Sequence, residues 1–305
     1  MTFPVGLRLV LGGNVFGWTA DEPGSRAVLD RFAAAGGTLV DTADVYSAWA
    51  PGHTGGESEV ILGRWLATQP AERRPQVATK VSQHPQFPGL SAANVRAAAH
   101  ASLQRLGVER IDLYYAHFDD AATPLDETAG AFSALVDEGL VGAIGISNYT
   151  AERIDEWFAA VQRDGLHAPV ALQPHYNLVE RGYEGPLAER ARRYDLAVFP
   201  YFGLARGFLT GKYRDGAAAV DSPRAEGALP YLNDRGRAVL AVLDELAAAH
   251  GTSQAAVALA WLHAQPTITA PIASARTLSQ LEDLLASATL DLAADELAAL
   301  TAASA

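Results

Sequence analysis

Four side chains in this 305-residue chain have the types and positions needed to reduce a carbonyl group. Asp41 and Tyr46 follow the run Gly37-Thr38-Leu39-Val40, Lys80 ends Val77-Ala78-Thr79-Lys80, and His117 ends Ile111-Asp112-Leu113-Tyr114-Tyr115-Ala116-His117. Reduction requires a hydride at carbon and a proton at oxygen. Tyr46 is the expected proton donor. A free tyrosine has a pKa of about 10, and an adjacent ammonium favours the phenolate and lowers that value. Lys80 is expected to supply that ammonium, with Asp41 holding it in a buried ion pair. His117 is expected to hydrogen-bond the substrate oxygen and orient it. Each residue alone has a plainer use: a turn aspartate, a packed tyrosine, a solvated lysine, a core histidine. Their shared placement after consecutive apolar runs sets them apart.

Those runs must be strands for the four to meet. Short β-branched stretches at 7–12, 38–41, 77–80, 111–117, 143–147, 170–173, 197–201 and 268–272 alternate with helical stretches. The helices are expected at 25–35, 58–68, 92–106, 125–138, 151–162, 186–194, 233–250 and 278–287, with one extra helix at 253–264 before the last strand. Strand-then-helix alternation implies parallel strands with helical crossovers. Eight such units predict one closed (β/α)8 barrel, an α/β domain spanning 1–305, whose chemistry would sit at the C-terminal ends of the strands. Ser91 is placed to cap the third helix and Gly107 to end it, and Thr150 to cap the fifth. Two insertions stand out, a Gly/Pro loop at 47–57 and a long aperiodic segment at 202–232. A loop of the latter length inside a compact domain is usually functional or disordered.

The composition narrows the function classes. The net charge is −12, which argues against nucleic acid or an anionic membrane as partner. With no cysteine there are no disulfides, thiolate metal sites or cysteine nucleophiles. No apolar run of about 18 residues suggests a membrane span, and the first residues lack the pattern of a secretion signal. A cytoplasmic location is expected.

Several motifs then occur in a fixed order. Asp41-Thr42-Ala43-Asp44-Val45-Tyr46 is followed by Gly56-Glu57-Ser58-Glu59-Val60-Ile61-Leu62-Gly63. Ala78-Thr79-Lys80, Ile111-Asp112-Leu113-Tyr114, Gly142-Ala143-Ile144-Gly145-Ile146-Ser147-Asn148 and Leu209-Thr210-Gly211-Lys212-Tyr213 come after them. Together they resemble the aldo-keto reductases, including the branch related to channel β-subunits, across nearly the whole chain. The resemblance implies a (β/α)8 barrel, a nicotinamide cofactor, and the tetrad Asp41, Tyr46, Lys80 and His117 with Tyr46 as general acid.

It also implies a cofactor path. Ser147, Asn148 and Gln173 would hydrogen-bond the nicotinamide carboxamide, and Tyr201 would stack on its ring. Phe202, Gly203, Leu204 and Arg206 would carry the pyrophosphate, with Lys212 adding charge and the rest of the insertion folding over as a belt. Ser274, Arg276 and Gln280 would meet a 2′-phosphate at a helix N-terminus, a natural anion site, and Asp283 the adenine. Gly13 and Asn14 complete the set from the first strand. NADPH is the expected cofactor, with NADH as the alternative. Trp18, Trp49 and Phe118 are expected substrate walls, suited to an aromatic, alicyclic or sugar-ring face. His53 and His175 reach toward the rim without an assigned role. The function expected is NADPH-dependent reduction of aldehydes or ketones; the physiological substrate and oligomeric state stay open. Two rival readings remain: a nicotinamide-binding, redox-sensing regulatory subunit with little turnover, and a metal-dependent barrel hydrolase, which would need paired histidines or clustered carboxylates at strand ends.

Overall fold

The computed structural model describes residues 3–214 and 222–305. Eight parallel strands form the central sheet: β1 (Val10–Gly12), β2 (Leu39–Asp41), β3 (Gln76–Val81), β6 (Leu113–Ala116), β7 (Ile144–Ser147), β8 (Pro169–Gln173), β9 (Ala197–Val198) and β10 (Ile272–Ala273). Their order is β10-β1-β2-β3-β6-β7-β8-β9. The sheet closes on itself where Val198 bridges Ile268 in parallel, and where the Thr269 and Ile272 N–H groups donate to the Val198 and Pro200 carbonyls at 2.9 and 2.8 Å. The expected (β/α)8 barrel is therefore the observed fold. A small antiparallel hairpin, β4 (Gln83–His84) with β5 (Phe87–Pro88), sits above the third strand of the barrel.

Alternation along the strands makes two cores. Val10, Leu39, Ala78, Leu113, Tyr115, Ala171 and Ala197 point inward and pack with Phe3 and Phe199. Their neighbours Leu11, Val40, Val77, Tyr114, Leu172 and Val198 point outward and meet the helices. This is the two-residue period of a strand, and the interior is packed with side chains. Gly145 is required inside, because a Cβ there would lie 2.4 Å from the Tyr115 ring.

The surrounding helices are α1 (Glu22–Ala34), α2 (Glu57–Leu66), α3 (Ala92–Leu106), α4 (Leu125–Asp137), α5 (Ala151–Asp164), α6 (Pro186–Arg193), α7 (Ala225–Ala228), α8 (Asp234–His250), α9 (Gln254–His263), α10 (Leu278–Ser287) and α11 (Ala294–Ala303). Ser91 caps α3 by accepting from the Asn94 N–H, and left-handed Gly107 ends it, as expected. Thr150 caps α5 through the Arg153 N–H. Among the described residues, no helix is long and apolar enough to cross a membrane.

Several boundaries differ from the expectation. The first helix begins at Glu22, because Asp21 accepts from the Gly24 N–H and Pro23 suits a helix start. Strand pairing stops short of the ends of the apolar runs at 111–117 and 197–201, leaving His117 and Tyr201 beyond β6 and β9. The run at 268–272 supplies a bridge and then turns into β10. Helix α11 was not anticipated; only Leu300 of it is buried, so it carries little apolar period. The aperiodic insertion contains 3-10 turns at Ala205–Thr210 and Leu229–Tyr231 flanking α7. The part of the expected belt at 215–221 lies outside the described residues.

Candidate active site

Five of the candidate side chains stand two residues beyond an inward-facing strand residue. Leu39 leads to Asp41, Ala78 to Lys80, Tyr115 to His117, Gly145 to Ser147 and Ala171 to Gln173. The two-residue period therefore aims all of them into the C-terminal mouth. There, Lys80 Nζ donates to Asp41 Oδ2 at 2.6 Å, to the Thr42 carbonyl at 2.6 Å and to the Tyr46 hydroxyl at 3.0 Å. Gln173 Nε2 donates to the other Asp41 oxygen at 2.8 Å. Lys80 is fully buried and Asp41 is 2 % exposed. All three ammonium protons are thus satisfied, and one of them fixes the phenol oxygen. The His117 ring lies edge-on to Tyr46 with centroids 6.1 Å apart.

Burial and the buried Lys80 charge together set the electrostatics. Burial works against the Lys80 ammonium, but Asp41 and Tyr46 outweigh it and hold the lysine above its ordinary value. Burial pushes the Asp41 carboxyl up, with Lys80 and Gln173 pulling the other way. His117 is held well below the usual imidazole range by burial and by the nearby Lys80 charge, so it is neutral. The expectation for Tyr46 needs correction. Lys80 does favour its phenolate, but burial outweighs that pull and Asp41 opposes it, so the phenol sits above its ordinary value. A phenol in that state keeps its proton at neutral pH and can donate it.

A cavity of about 1500 Å³ opens above this cluster. Asp41, Tyr46 and His117 face it, while Lys80 lies beneath its floor. Trp18, Trp49, Phe118 and Gln83 line one side. The Trp18 and Trp49 rings meet edge to face at 5.4 Å, and Trp49 and Phe118 are 49 % and 41 % exposed. These three aromatics line the cavity and are not part of the barrel core.

Ser147, Asn148, Gln173 and Tyr201 line the same cavity and are tied together. The Tyr201 hydroxyl donates to Asn148 Oδ1 at 2.7 Å, Asn148 Nδ2 to the His117 carbonyl at 2.9 Å, and Ser147 Oγ to the Gln173 carbonyl at 2.8 Å. Further out, Phe202, Ala205, Arg206 and Gly207 all have left-handed backbones. The Ala205 and Gly207 N–H groups close turns there by donating to the Phe202 and Leu204 carbonyls at 2.7 and 2.8 Å. Phe202, Gly203, Leu204, Arg206 and Lys212 line the cavity here, and Ser274, Arg276, Gln280 and Asp283 line its far end. Ser274 Oγ donates to Asn14 Oδ1 at 2.7 Å, and Gln280 Oε1 accepts from the Arg276 N–H at 2.9 Å. Gly13 is the exception among the expected residues. Its N–H donates to the Asp41 carbonyl and its own carbonyl accepts from Ser58, so it lies behind the wall while Gly12 and Asn14 face the cavity.

Arg224 is among the cavity residues that the sequence reading did not single out. Arg224 donates to Asn14 Oδ1 at 3.1 Å across 210 residues, with its guanidinium 5.7 Å from the Trp18 ring. It sits in the aperiodic insertion, where no spacing distinguishes it from the other two arginines there, Arg206 and Arg214. Burial lowers its pKa, and the positive Arg276 and Arg206 add to that. Among the described residues, no salt bridge joins Arg206, Lys212, Arg224 or Arg276 to a carboxylate. Cations without a carboxylate partner among the described residues, in a chain of net charge −12, suit a polyanionic ligand.

The aldo/keto reductase family model matches residues 8–305. The chain belongs to that family. It is 35% identical to an uncharacterized oxidoreductase, YrpG, of Bacillus subtilis (strain 168), covering 91% of this chain and 86% of that protein. It is 30% identical to Protein tas of Escherichia coli (strain K12) over 96% of this chain and 93% of the other. A probable voltage-gated potassium channel subunit beta of Oryza sativa subsp. japonica is 31% identical over 87% of this chain and 82% of its own length. This aldo/keto reductase is accordingly an oxidoreductase.

Proposed function

We propose that this oxidoreductase uses NADPH to reduce an aldehyde or ketone to an alcohol, reversibly, with Tyr46 as general acid. The carrying observation is that Lys80 Nζ contacts Asp41 and the Tyr46 hydroxyl at once, at 2.6 and 3.0 Å, beneath the floor of a cavity lined by cations that pair with no carboxylate among the described residues. When bound, the nicotinamide supplies a hydride equivalent to the carbonyl carbon. Tyr46 donates its proton to the carbonyl oxygen, and the Lys80 ammonium stabilises the phenolate left behind. Asp41 keeps Lys80 charged and in place. Neutral His117 orients the substrate oxygen, adding no competing cation. Trp18, Trp49 and Phe118 exclude water and hold an apolar ring face. Ser147, Asn148, Gln173 and Tyr201 would seat the nicotinamide, Gly13 acting through the backbone behind Asn14. Phe202, Gly203, Leu204, Arg206, Lys212 and Arg224 would seat the pyrophosphate, and Ser274, Arg276, Gln280 and Asp283 the adenosine end. We assign the whole of 1–305 to one domain working in the cytoplasm on small molecules.

The test is oxidation of NADPH and NADH, followed by absorbance, against aromatic aldehydes, dicarbonyls and keto-sugars, with Tyr46→Phe as control. Turnover lost in that variant supports the reading. Full activity in it would remove Tyr46 from the chemistry. Arg276→Ala is expected to weaken NADPH more than NADH; equal weakening would mean that Arg276 does not meet the 2′-phosphate. Tight cofactor binding without turnover would favour a redox-sensing role, the reading to which the channel-subunit relative lends weight.

A further inference from the structure

A phenol ring hinged on two side-chain torsions does not hold a plane by itself. Tyr201 stands just beyond β9, and His175 just beyond β8, with the two residues bridged in parallel. The Tyr201 N–H donates to the Pro174 carbonyl at 3.0 Å, which fixes the backbone end of the side chain. Its hydroxyl is tethered to Asn148 at 2.7 Å, which fixes the far end. Rotation about the line between those ends is what remains. The His175 ring removes it: the two rings are 15° from parallel with centroids 5.1 Å apart. Phe202 then meets both edge-on, at 5.5 Å from His175 and 5.1 Å from Tyr201. Arg206 caps the Phe202 ring at 4.2 Å, and Asn177 Nδ2 holds the Phe202 carbonyl at 2.9 Å.

His175 has no other visible employment. Its Nε2 is buried without a hydrogen-bond partner among the described residues. It lines the cavity but is not part of the Lys80 cluster. Burial lowers its pKa, with Glu180 opposing and Arg206 assisting, so a neutral ring faces the phenol. An uncharged imidazole can stack there without repelling an oxidised, positively charged nicotinamide.

We propose that His175 is a positioning residue whose imidazole backs the Tyr201 ring and so sets the plane against which the nicotinamide stacks. The proposal rests on the reading of Tyr201 as the nicotinamide wall. One face of a flat wall is then braced by the protein and the other is free for the cofactor. Hydride transfer depends on the depth and facing of that ring, because reacting atoms must approach in a narrow geometry. Loss of the brace should loosen the geometry without touching the acid, the lysine or the substrate walls.

The experiment compares wild type, His175→Ala, His175→Leu and His175→Phe. NADPH binding is read by quenching of tryptophan fluorescence, and kcat and KM for one reduced aldehyde by steady state. Facial fidelity is read by transfer from NADPH deuterated at one or the other C4 position. Far-UV circular dichroism and melting temperature report folding. His175→Ala is expected to raise the NADPH Kd by about threefold to tenfold, the worth of a lost ring contact. Its kcat should fall while the aldehyde KM stays within about twofold, and label from the disfavoured face should rise. His175→Phe, which keeps a flat ring and loses both nitrogens, should restore all three readouts. His175→Leu, of similar bulk without a flat ring, should not, and it carries the test if the alanine variant fails to fold.

Unchanged binding, kcat and facial fidelity in His175→Ala and His175→Leu would overturn the proposal. So would a His175→Phe variant as impaired as His175→Ala, since the nitrogens rather than the stack would then matter. Tyr201→Ala binding NADPH as tightly as wild type would overturn the parent reading of Tyr201, whatever happens at 175.

Discussion

At the scale of single residues, Lys80 makes three short contacts, and Asp41, Tyr46 and the Thr42 carbonyl share it. Removing the phenol oxygen alone should leave the cavity intact. Tyr46→Phe is expected to lower kcat by about a hundredfold to ten-thousandfold, the usual worth of a positioned acid. The NADPH Kd, measured by fluorescence titration, should hardly change. Lys80→Met is expected to do two things at once. It should cripple turnover, and it should destabilise the fold by roughly 3–5 kcal/mol, because Asp41 would be left as an uncompensated buried charge. Urea unfolding of Lys80→Met beside the double variant with Asp41→Asn separates the two effects: the double variant should regain stability but not activity. The types and order of these residues were legible along the chain, since each follows an apolar run. Their convergence was legible too, once the runs were read as parallel strands. The direction of the Tyr46 shift was not, because desolvation depends on the volume that surrounds a group and no spacing encodes that volume.

At the scale of elements, two joints matter to the site. The first is the close approach of α2 to α3. A Cβ on Gly63 would lie 2.4 Å from the Arg105 carbonyl oxygen and 2.7 Å from that of Leu106. Those are backbone atoms and cannot swing aside. Gly63→Ala should therefore push the helices apart and cost about 1–3 kcal/mol, read as a lower urea midpoint. The strain should reach the Arg105–Glu59 pair, 2.6 Å apart across the same joint. The second joint is the insertion around α7, which carries Arg224 over Asn14 and Trp18. Arg224→Ala is expected to raise the NADPH Kd about tenfold or more, the worth of a charged hydrogen bond. The salt dependence of binding should also become shallower, as fewer charges would be involved. Caps at Ser91 and Thr150 and the stop at Gly107 were legible because capping is local chemistry. The insertion was not, because its 3-10 turns and short helix have no apolar period and are held by contacts to distant segments.

At the scale of the whole molecule, charge and burial combine in a pH dependence. Asp44 is fully buried beside Glu59, and its pKa is raised from 3.8 to about 8, by burial first and by the Glu59 charge next. The folded chain therefore keeps a proton on Asp44 that the unfolded chain has already released. Between those two values the folded state binds more protons, so stability falls as pH rises. Asp44→Asn should match wild type near pH 4 and grow steadily more stable than wild type up to about pH 8, with no further divergence above it. Thermal melts of both proteins across that range check the sign; a parallel pair of curves would remove Asp44 from the pH response. By itself, the sequence determined the alternation of strand and helix, the caps, and which candidate side-chain types stand at which strand ends. All of these follow from spacings of a few residues. Only the tertiary structure decided that Val198 closes on Ile268, that Arg224 reaches Asn14, that His175 backs Tyr201, and that burial outweighs Lys80 at the Tyr46 phenol. Each depends on closing the barrel, which brings together residues the chain keeps far apart and shuts out the water that would otherwise screen them.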